Sequence, residues 1–287
     1  MSGPGSTGAK RWRIERHDSV GSTQDVLKQR VAAGNDVTCL VVRAREQTGG
    51  RGRRGARWLS SAGGSYQSLG LGPVTALGGG APDLDEAALS RLPLALAVGV
   101  AEELCSAGAK VAVKWPNDLM LVAAGARSGA LARGAGRFTA AASGDTSSAG
   151  KLGGLLVEVS AGQALAGIGV NVDNAVPDGA GALRGWDVDT VGDLVIEGVL
   201  AGLDLAGEDA DALVRRLTPL DWLRGREVSV ETADTVVTGE AVGIDRRGCL
   251  RLKLTSPAAE SSAQLGKSAY AVSRVVTVCR GHVLSIA

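Results

Sequence analysis

The chain has 287 residues, enough at about 150 per domain for one large domain or two. Hydrophobic residues make up 45% and aromatics only 3%, so a sizeable core has to be built from Leu, Val and Ala. A formal net charge of +1 argues against bulk electrostatic attachment to nucleic acid or an anionic membrane, and no run of about 18 apolar residues predicts a membrane span. The four cysteines, Cys39, Cys105, Cys249 and Cys279, lie far apart with only His17 and His282 for company. That spacing argues against a zinc site or a disulfide framework, and Cys39 and Cys105 read as small buried hydrophobes.

In chain order, residues 1–10 are Gly/Ser/Pro-rich and are expected to form a disordered tail with no signal peptide, which points to a cytoplasmic protein. Trp12 to Arg16 alternates as a strand does. Ser22-Thr23 opens a helix whose apolar face is Val26, Leu27 and Val31, ending at Gly34. The β-branched run from Thr38 to Arg43 leads into Gln47-Thr48-Gly49-Gly50-Arg51-Gly52-Arg53-Arg54-Gly55-Ala56-Arg57-Trp58. Glycine lets backbone approach a ligand closely, and arginine forks onto anionic oxygens, so this stretch can wrap a phosphate or carboxylate. Gly50-x-Gly52-x-x-Gly55 matches the dinucleotide fingerprint in letters, but Trp58 to Gly64 is no amphipathic helix and no acid follows at the required distance. No Gly-Lys-Ser/Thr follows, which excludes a Walker loop. A solvated basic turn is the remaining bland alternative.

Ser65 to Leu71 reads as a returning strand and Gly72 to Asp85 as a loop. Ser90 to Cys105 reads as a helix, with Pro93 in its first turn. Lys110 to Trp115 and Leu119 to Val122 are strands about a Pro116-Asn117-Asp118 turn. Residues 123–150 hold Gly, Ala and Ser with few large apolar side chains, and are expected to be a flexible, dispensable insertion. Lys151 to Val159 and Ala164 to Val172 form an expected antiparallel pair, and helices are expected near Thr190 to Leu203 and Asp209 to Leu223. From Gly225 the pattern becomes short strands over Glu227–Thr232, Val236–Ile244, Cys249–Leu254 and Tyr270–Val278, a small all-β barrel.

Gly21-Ser22-Thr23-Gln24, the glycine-arginine loop, Lys114-Trp115-Pro116-Asn117-Asp118 and Lys151-Leu152-Gly153-Gly154 with Gly167-Ile168-Gly169-Val170-Asn171 occur in one order. In that combination the chain resembles a bacterial biotin protein ligase from about Trp12 to the C-terminus, outside residues 72–86 and 123–150. The resemblance implies an α/β (α+β) fold. Its mixed sheet with helices would be related to class II aminoacyl-tRNA synthetases over residues 11–224, and an SH3-like barrel would occupy residues 225–287. It also implies two steps with ATP, biotin and magnesium: formation of biotinyl-5′-adenylate, then transfer of biotin to a lysine of a biotin carboxyl carrier protein. No helix-turn-helix precedes Trp12, so no DNA partner is expected, and the enzyme is expected as a monomer or homodimer. A lipoate or octanoate ligase or transferase, or a biotin-binding regulator without catalysis, is the alternative.

On that resemblance Lys151 and Arg53 are the catalytic pair. Ser22, Thr23, Gln24, Gln47, Gly50, Arg51, Gly52, Gly153, Gly154 and Gly169 bind biotin. Arg51, Arg53, Lys114, Asn117, Asp118, Lys151 and Asn171 bind the nucleotide, and a metal site is left unassigned. Arginines stay charged at any working pH, and an ammonium at Lys151 can meet charge that concentrates on carboxylate and phosphate as they react. Plainer readings stand beside these: a helix N-cap for Ser22, a surface lysine for Lys114, turn residues for Asn117 and Asp118, and a satisfied core amide for Asn171. Gln24 stands where the family commonly has Asn, and Gln67 lies in a strand commonly apolar.

Overall fold

The computed structural model describes residues 12–77, 86–122, 150–208, 210–254, 269–272 and 275–286. The insertion expected at 123–150 and the tail at 1–10 lie outside these residues, apart from Gly150. Strand β1 (Arg13–Val20) passes through helix α1 (Thr23–Ala32) to β2 (Leu40–Gln47), which runs parallel to it. Then come β3 (Ser65–Pro73), α2 (Glu86–Ser106), the hairpin β4 (Val111–Lys114) and β5 (Asp118–Leu121), the hairpin β6 (Gly150–Ser160) and β7 (Gln163–Val170), α3 (Val188–Gly207) and α4 (Ala210–Leu217). The strands form one mixed sheet in the order β1-β2-β3-β7-β6-β5-β4, in which every pair after β1–β2 is antiparallel.

Side chains alternate across a strand, so this sheet sorts its residues onto two faces. Val41, Leu69 and Ile168 join the main core under α2 and α3, whereas Val42 and Leu165 pack with Leu27 and Val31 of α1 on the other side. α1 covers only part of its face. Beyond the N-terminus of α1 the sheet carries Ser68, Gly167 and Gly169, and there the functional cleft opens.

Several expectations are corrected. α2 starts four residues before Ser90, so Pro93 lies in the helix interior rather than in its first turn. The second C-terminal helix stops at Leu217, short of Leu223. After Gly225 come β8 (Glu227–Glu231), β9 (Val236–Ile244), β10 (Leu250–Leu254), β11 (Ala269–Val272), β12 (Val275–Val278) and β13 (His282–Ile286), an antiparallel sheet in the order β11-β12-β10-β9-β8-β13. The single strand expected over 270–278 is thus a tight hairpin, and β13 went unrecognised. Cys249 and Cys279 are joined in a disulfide across the ends of β10 and β12, with Cα atoms 4.2 Å apart. Sequence spacing hid it because sheet register, not chain distance, brings these residues together. Cys39 and Cys105 are only half-buried.

Gln67 has a structural explanation. It sits on the α3 face, where its Oε1 accepts from Arg43 Nε at 2.9 Å and its Nε2 donates to the Gly192 carbonyl at 2.8 Å. The buried Arg43 guanidinium also reaches Asp189 and Asp193 in the first turns of α3. A buried charge is tolerable when paired and fully hydrogen-bonded, and here it anchors a helix to the sheet.

Candidate active site

The cleft has a volume of about 460 Å³, within the usual range for small-molecule sites. Its polar end is built by the start of α1. Ser22 occupies the N-cap position, yet its side chain makes no cap hydrogen bond and is buried. The plain N-cap reading therefore leaves its hydroxyl unexplained. Thr23 donates its backbone N–H to Gln47 Oε1 at 2.8 Å, and its hydroxyl lies 2.8 Å from Ser68 Oγ. Gln47 Nε2 in turn donates to Ser60 Oγ at 2.9 Å. Gln24 donates to the Leu165 carbonyl at 3.3 Å, while its buried Oε1 has no partner. That oxygen lies 2.9 Å from where a Cβ on Gly167 would sit, so glycine there leaves the space over the sheet to the amide.

The glycine-arginine stretch forms a hairpin. Arg51 pairs with Arg57 across it, Trp58 N–H donates to the Gly50 carbonyl at 2.9 Å, and Arg53–Gly55 makes a 3₁₀ turn at the tip. Arg54 adopts a left-handed φ of 56°, uncommon for a residue with a Cβ. Arg51 is ion-paired with Asp25 of α1, and Arg54 with Glu231 of β8 at 2.8 Å. The hairpin is thus held to α1 on one side and to the small sheet on the other. The Trp58 indole lies on β7, with its ring nitrogen 2.5 Å from where a Gly169 Cβ would be; that nitrogen is buried and unpartnered.

The cationic part comes from the next hairpins. Lys151 Nζ lies 2.8 Å from Asp118 Oδ1 and 5.3 Å from the centre of the Trp58 ring. Arg53 donates to Asn117 Oδ1 at 3.1 Å. Burial pushes the Arg53 guanidinium below its ordinary pKa, partly opposed by Asp118. Lys114 is also pushed down, first by burial and then by Lys151, with Asp118 pulling the other way. Asp118 therefore sits among three cations. Trp115 and Pro116 are joined by a cis peptide bond, and Trp115 Nε1 donates to the Gly248 carbonyl at 2.9 Å, fastening this turn to the small sheet.

Ser22, Thr23, Gln24, Gln47, Arg51, Gly52, Arg53, Lys114, Asn117, Asp118, Lys151, Gly154, Gly167 and Gly169 all line this one cleft. Three expected residues do not. Gly50 is packed under Trp58 and Ser60, where a Cβ would meet the Trp58 carbonyl at 2.6 Å, and Gly153 packs on Gly169 and Leu119. Asn171 donates to the Lys151 and Gly181 carbonyls and accepts from Asn174 Nδ2, which makes it a satisfied amide beside the strand bearing Lys151. Sequence reading did not assign Trp58, Ser68 or His282 to the site. Trp58 was visible as the residue closing the loop; His282 gave no signal, because it belongs to the unrecognised β13.

The Biotin/lipoate A/B protein ligase family profile matches residues 17–174, more than half of the chain and nearly all of the cleft. The chain belongs to that family. The Biotin protein ligase C terminal domain profile matches residues 224–258. The Bifunctional ligase/repressor BirA of Escherichia coli is 28% identical over 256 residues, covering 82% of this chain and 67% of that protein. The Biotin--[acetyl-CoA-carboxylase] ligase of Paracoccus denitrificans is 35% identical over 144 residues, 48% of this chain and 47% of that one, so the match spans about half of this relative's length. The fold is similar to that of a biotin protein ligase from Aquifex aeolicus solved in complex with biotin and ATP, with a TM-score of 0.69 at 22% identity over 97% of this chain and 99% of that one.

Proposed function

We propose that the protein is an ATP-dependent biotin–[biotin carboxyl carrier protein] ligase, with residues 11–224 as its catalytic unit and 225–287 as a terminal unit. The observation that carries this reading is the division of one cleft into two chemistries. Around Ser22, Thr23, Gln24 and Gln47 it offers uncharged hydrogen-bonding groups suited to a ureido ring. Beside them, Arg53, Lys114 and Lys151 gather around the single carboxylate of Asp118. A biotin carboxylate oxygen attacks the α-phosphorus of ATP; the new O–P bond forms as the bond to the β-phosphate oxygen breaks, and pyrophosphate leaves with the electron pair. The amine of a carrier lysine then attacks the carbonyl carbon of the mixed anhydride and AMP leaves.

Both steps bring anions together or develop negative charge, so preorganised cations stabilise the transition state without having to exchange protons. Asp118 keeps Lys151 oriented until substrate oxygens replace it. Magnesium, which neutralises phosphate charge, is read as arriving on the nucleotide phosphates. A cytoplasmic location suits an enzyme that consumes ATP; among the described residues no helix is long and apolar enough to cross a membrane.

Isotope exchange between pyrophosphate and ATP tests the reading. Exchange that requires biotin is the expected result; exchange driven by lipoate instead, or none with either acid, would refute it.

A further inference from the structure

The Cys249–Cys279 bridge stands where the small sheet meets the cleft. Cys249 is 3% exposed, whereas Cys279 is half-buried and lines a second cavity of about 220 Å³ beside the cleft. Cys279 is therefore the sulfur that a small thiol can reach. Gly248, the neighbour of Cys249, lines the same cavity, and its carbonyl accepts from Trp115 Nε1 at 2.9 Å. Trp115 is buried and leads through Pro116 to Asn117, whose Oδ1 accepts from Arg53 at 3.1 Å. A continuous line of contacts thus joins the bridge to a cation of the proposed reaction site. The small sheet does not depend on the bridge for its pairing. β10 and β12 are hydrogen-bonded from Leu250 and Val278 to Lys253 and Val275, and Leu250, Leu252, Val276 and Val278 are fully buried. What the bridge adds is the placement of the Gly248 turn at the edge of that pair.

We infer that Cys249–Cys279 is a thiol–disulfide exchange site, and that opening it slows adenylation by loosening the Gly248 turn from Trp115. The inference rests on the ligase reading proposed above. An enzyme that consumes ATP works among thiols that cells keep reduced, where a disulfide is usually transient or redox-sensing. The reductant is a small thiol of the glutathione class. Its thiolate attacks Cys279 Sγ; a mixed disulfide forms as the Cys249–Cys279 bond breaks, and Cys249 leaves with the electron pair and takes up a proton. A second thiol then attacks the mixed disulfide, so that Cys279 is released and also protonated. The bridge gains two electrons and two protons, and two thiols become one disulfide. With the bridge open, the turn is held by its hydrogen bonds alone, and the Trp115–Asn117 segment positions Arg53 less firmly.

The test uses the full chain poised in mixtures of reduced and oxidised glutathione, with thiols counted by alkylation and mass spectrometry. Reduced glutathione is expected to open the bridge in the folded protein through a mixed disulfide on Cys279, and re-oxidation to close it. Biotin-dependent exchange between pyrophosphate and ATP should follow the same titration. It is expected to fall by roughly 2- to 10-fold on reduction, the equivalent of one positioned hydrogen bond. Biotin affinity, set at the α1 end of the cleft, is expected to stay unchanged, and circular dichroism to show the same fold in both states. Cys249→Ser with Cys279→Ser is expected to keep the reduced rate and ignore glutathione, which excludes effects through the free Cys39 and Cys105. A bridge that resists glutathione until the protein is denatured would overturn the inference and mark a purely structural disulfide. Equal exchange rates in the two states, or a loss explained by unfolding, would overturn it as well. Absence of biotin-dependent exchange in both states would instead refute the ligase reading, while alkylation still reports whether the bridge opens to thiols.

Discussion

At the scale of single residues, Lys151 and Lys114 have different work although both lie near Asp118. Lys151 is ion-paired and partly exposed, so its ammonium is available to substrate oxygens once Asp118 is displaced. Lys151→Ala is expected to lower the adenylation rate by roughly 10²–10³, the usual cost of one preorganised transition-state donor, while biotin still binds. Single-turnover adenylate formation alongside a biotin titration checks this; an unchanged rate would assign Lys151 to structure. Lys114 is held below its ordinary pKa by burial, so on raising the pH it loses its proton before an exposed lysine does. The phosphate contact proposed for it would exist only below that lowered pKa. Adenylation should therefore decline on the alkaline side below about 10.4, the ordinary lysine value, and Lys114→Arg should move the decline upward. A pH–rate profile that is the same for both proteins would remove Lys114 from the reaction.

At the scale of elements, α2 and α3 pack backbone against backbone. A Cβ on Gly99 would lie 2.1 Å from the Gly198 carbonyl oxygen, and one on Gly198 would lie 2.5 Å from the Val100 Cα. Helices whose backbones approach this closely cannot accept even a methyl group without separating. That separation would propagate to the sheet through Val41, Leu69 and Ile168. Gly198→Ala is expected to destabilise the protein by about 1–3 kcal/mol, the usual cost of overpacking. Denaturant unfolding measures it, and a change within about 0.5 kcal/mol, ordinary for a surface substitution, would show that the helices can shift freely. The same logic on the opposite face predicts an effect at Gly169, which we propose faces biotin. Gly169→Ala drives a methyl into the Trp58 indole and is expected to raise the biotin KM by roughly tenfold, about 1.4 kcal/mol. An unchanged KM would mean that the indole is not part of the biotin wall.

At the scale of the whole molecule, the small sheet is not an independent appendage. One apolar cluster runs from Leu92 and Leu155 under the large sheet to Val228, Leu250 and Val276 in the small one. The Trp115–Gly248 hydrogen bond and the Arg54–Glu231 pair reinforce that contact, the exposed pair by about 1 kcal/mol or less. Because the core is shared, thermal unfolding is expected as a single transition, with calorimetric and van't Hoff enthalpies agreeing. Two resolved transitions would show that the units melt separately. Truncation at Gly225 should expose Leu220 and Leu223 and yield an unstable, aggregating fragment.

The sequence by itself determined the chemistry. Ser22, Thr23, Gln47, Arg53, Lys114, Asp118 and Lys151 were legible because short motifs carry both residue type and local backbone form, and strands were legible from alternation in β1 and from the β-branched run in β2. Only the tertiary structure decided which of these residues meet. Gly50, Gly153 and Asn171 stand in the same motifs but are turned into packing: Gly153 points to the face opposite Gly154, Gly50 lies under Trp58 and Ser60, and Asn171 is held by the Lys151 and Gly181 carbonyls. The Cys249–Cys279 bridge, the approach of His282 and the answering of Gln67 by Arg43 depend on contacts between segments far apart in the chain. Such contacts are set by sheet register and helix packing, and no local pattern of residues records them.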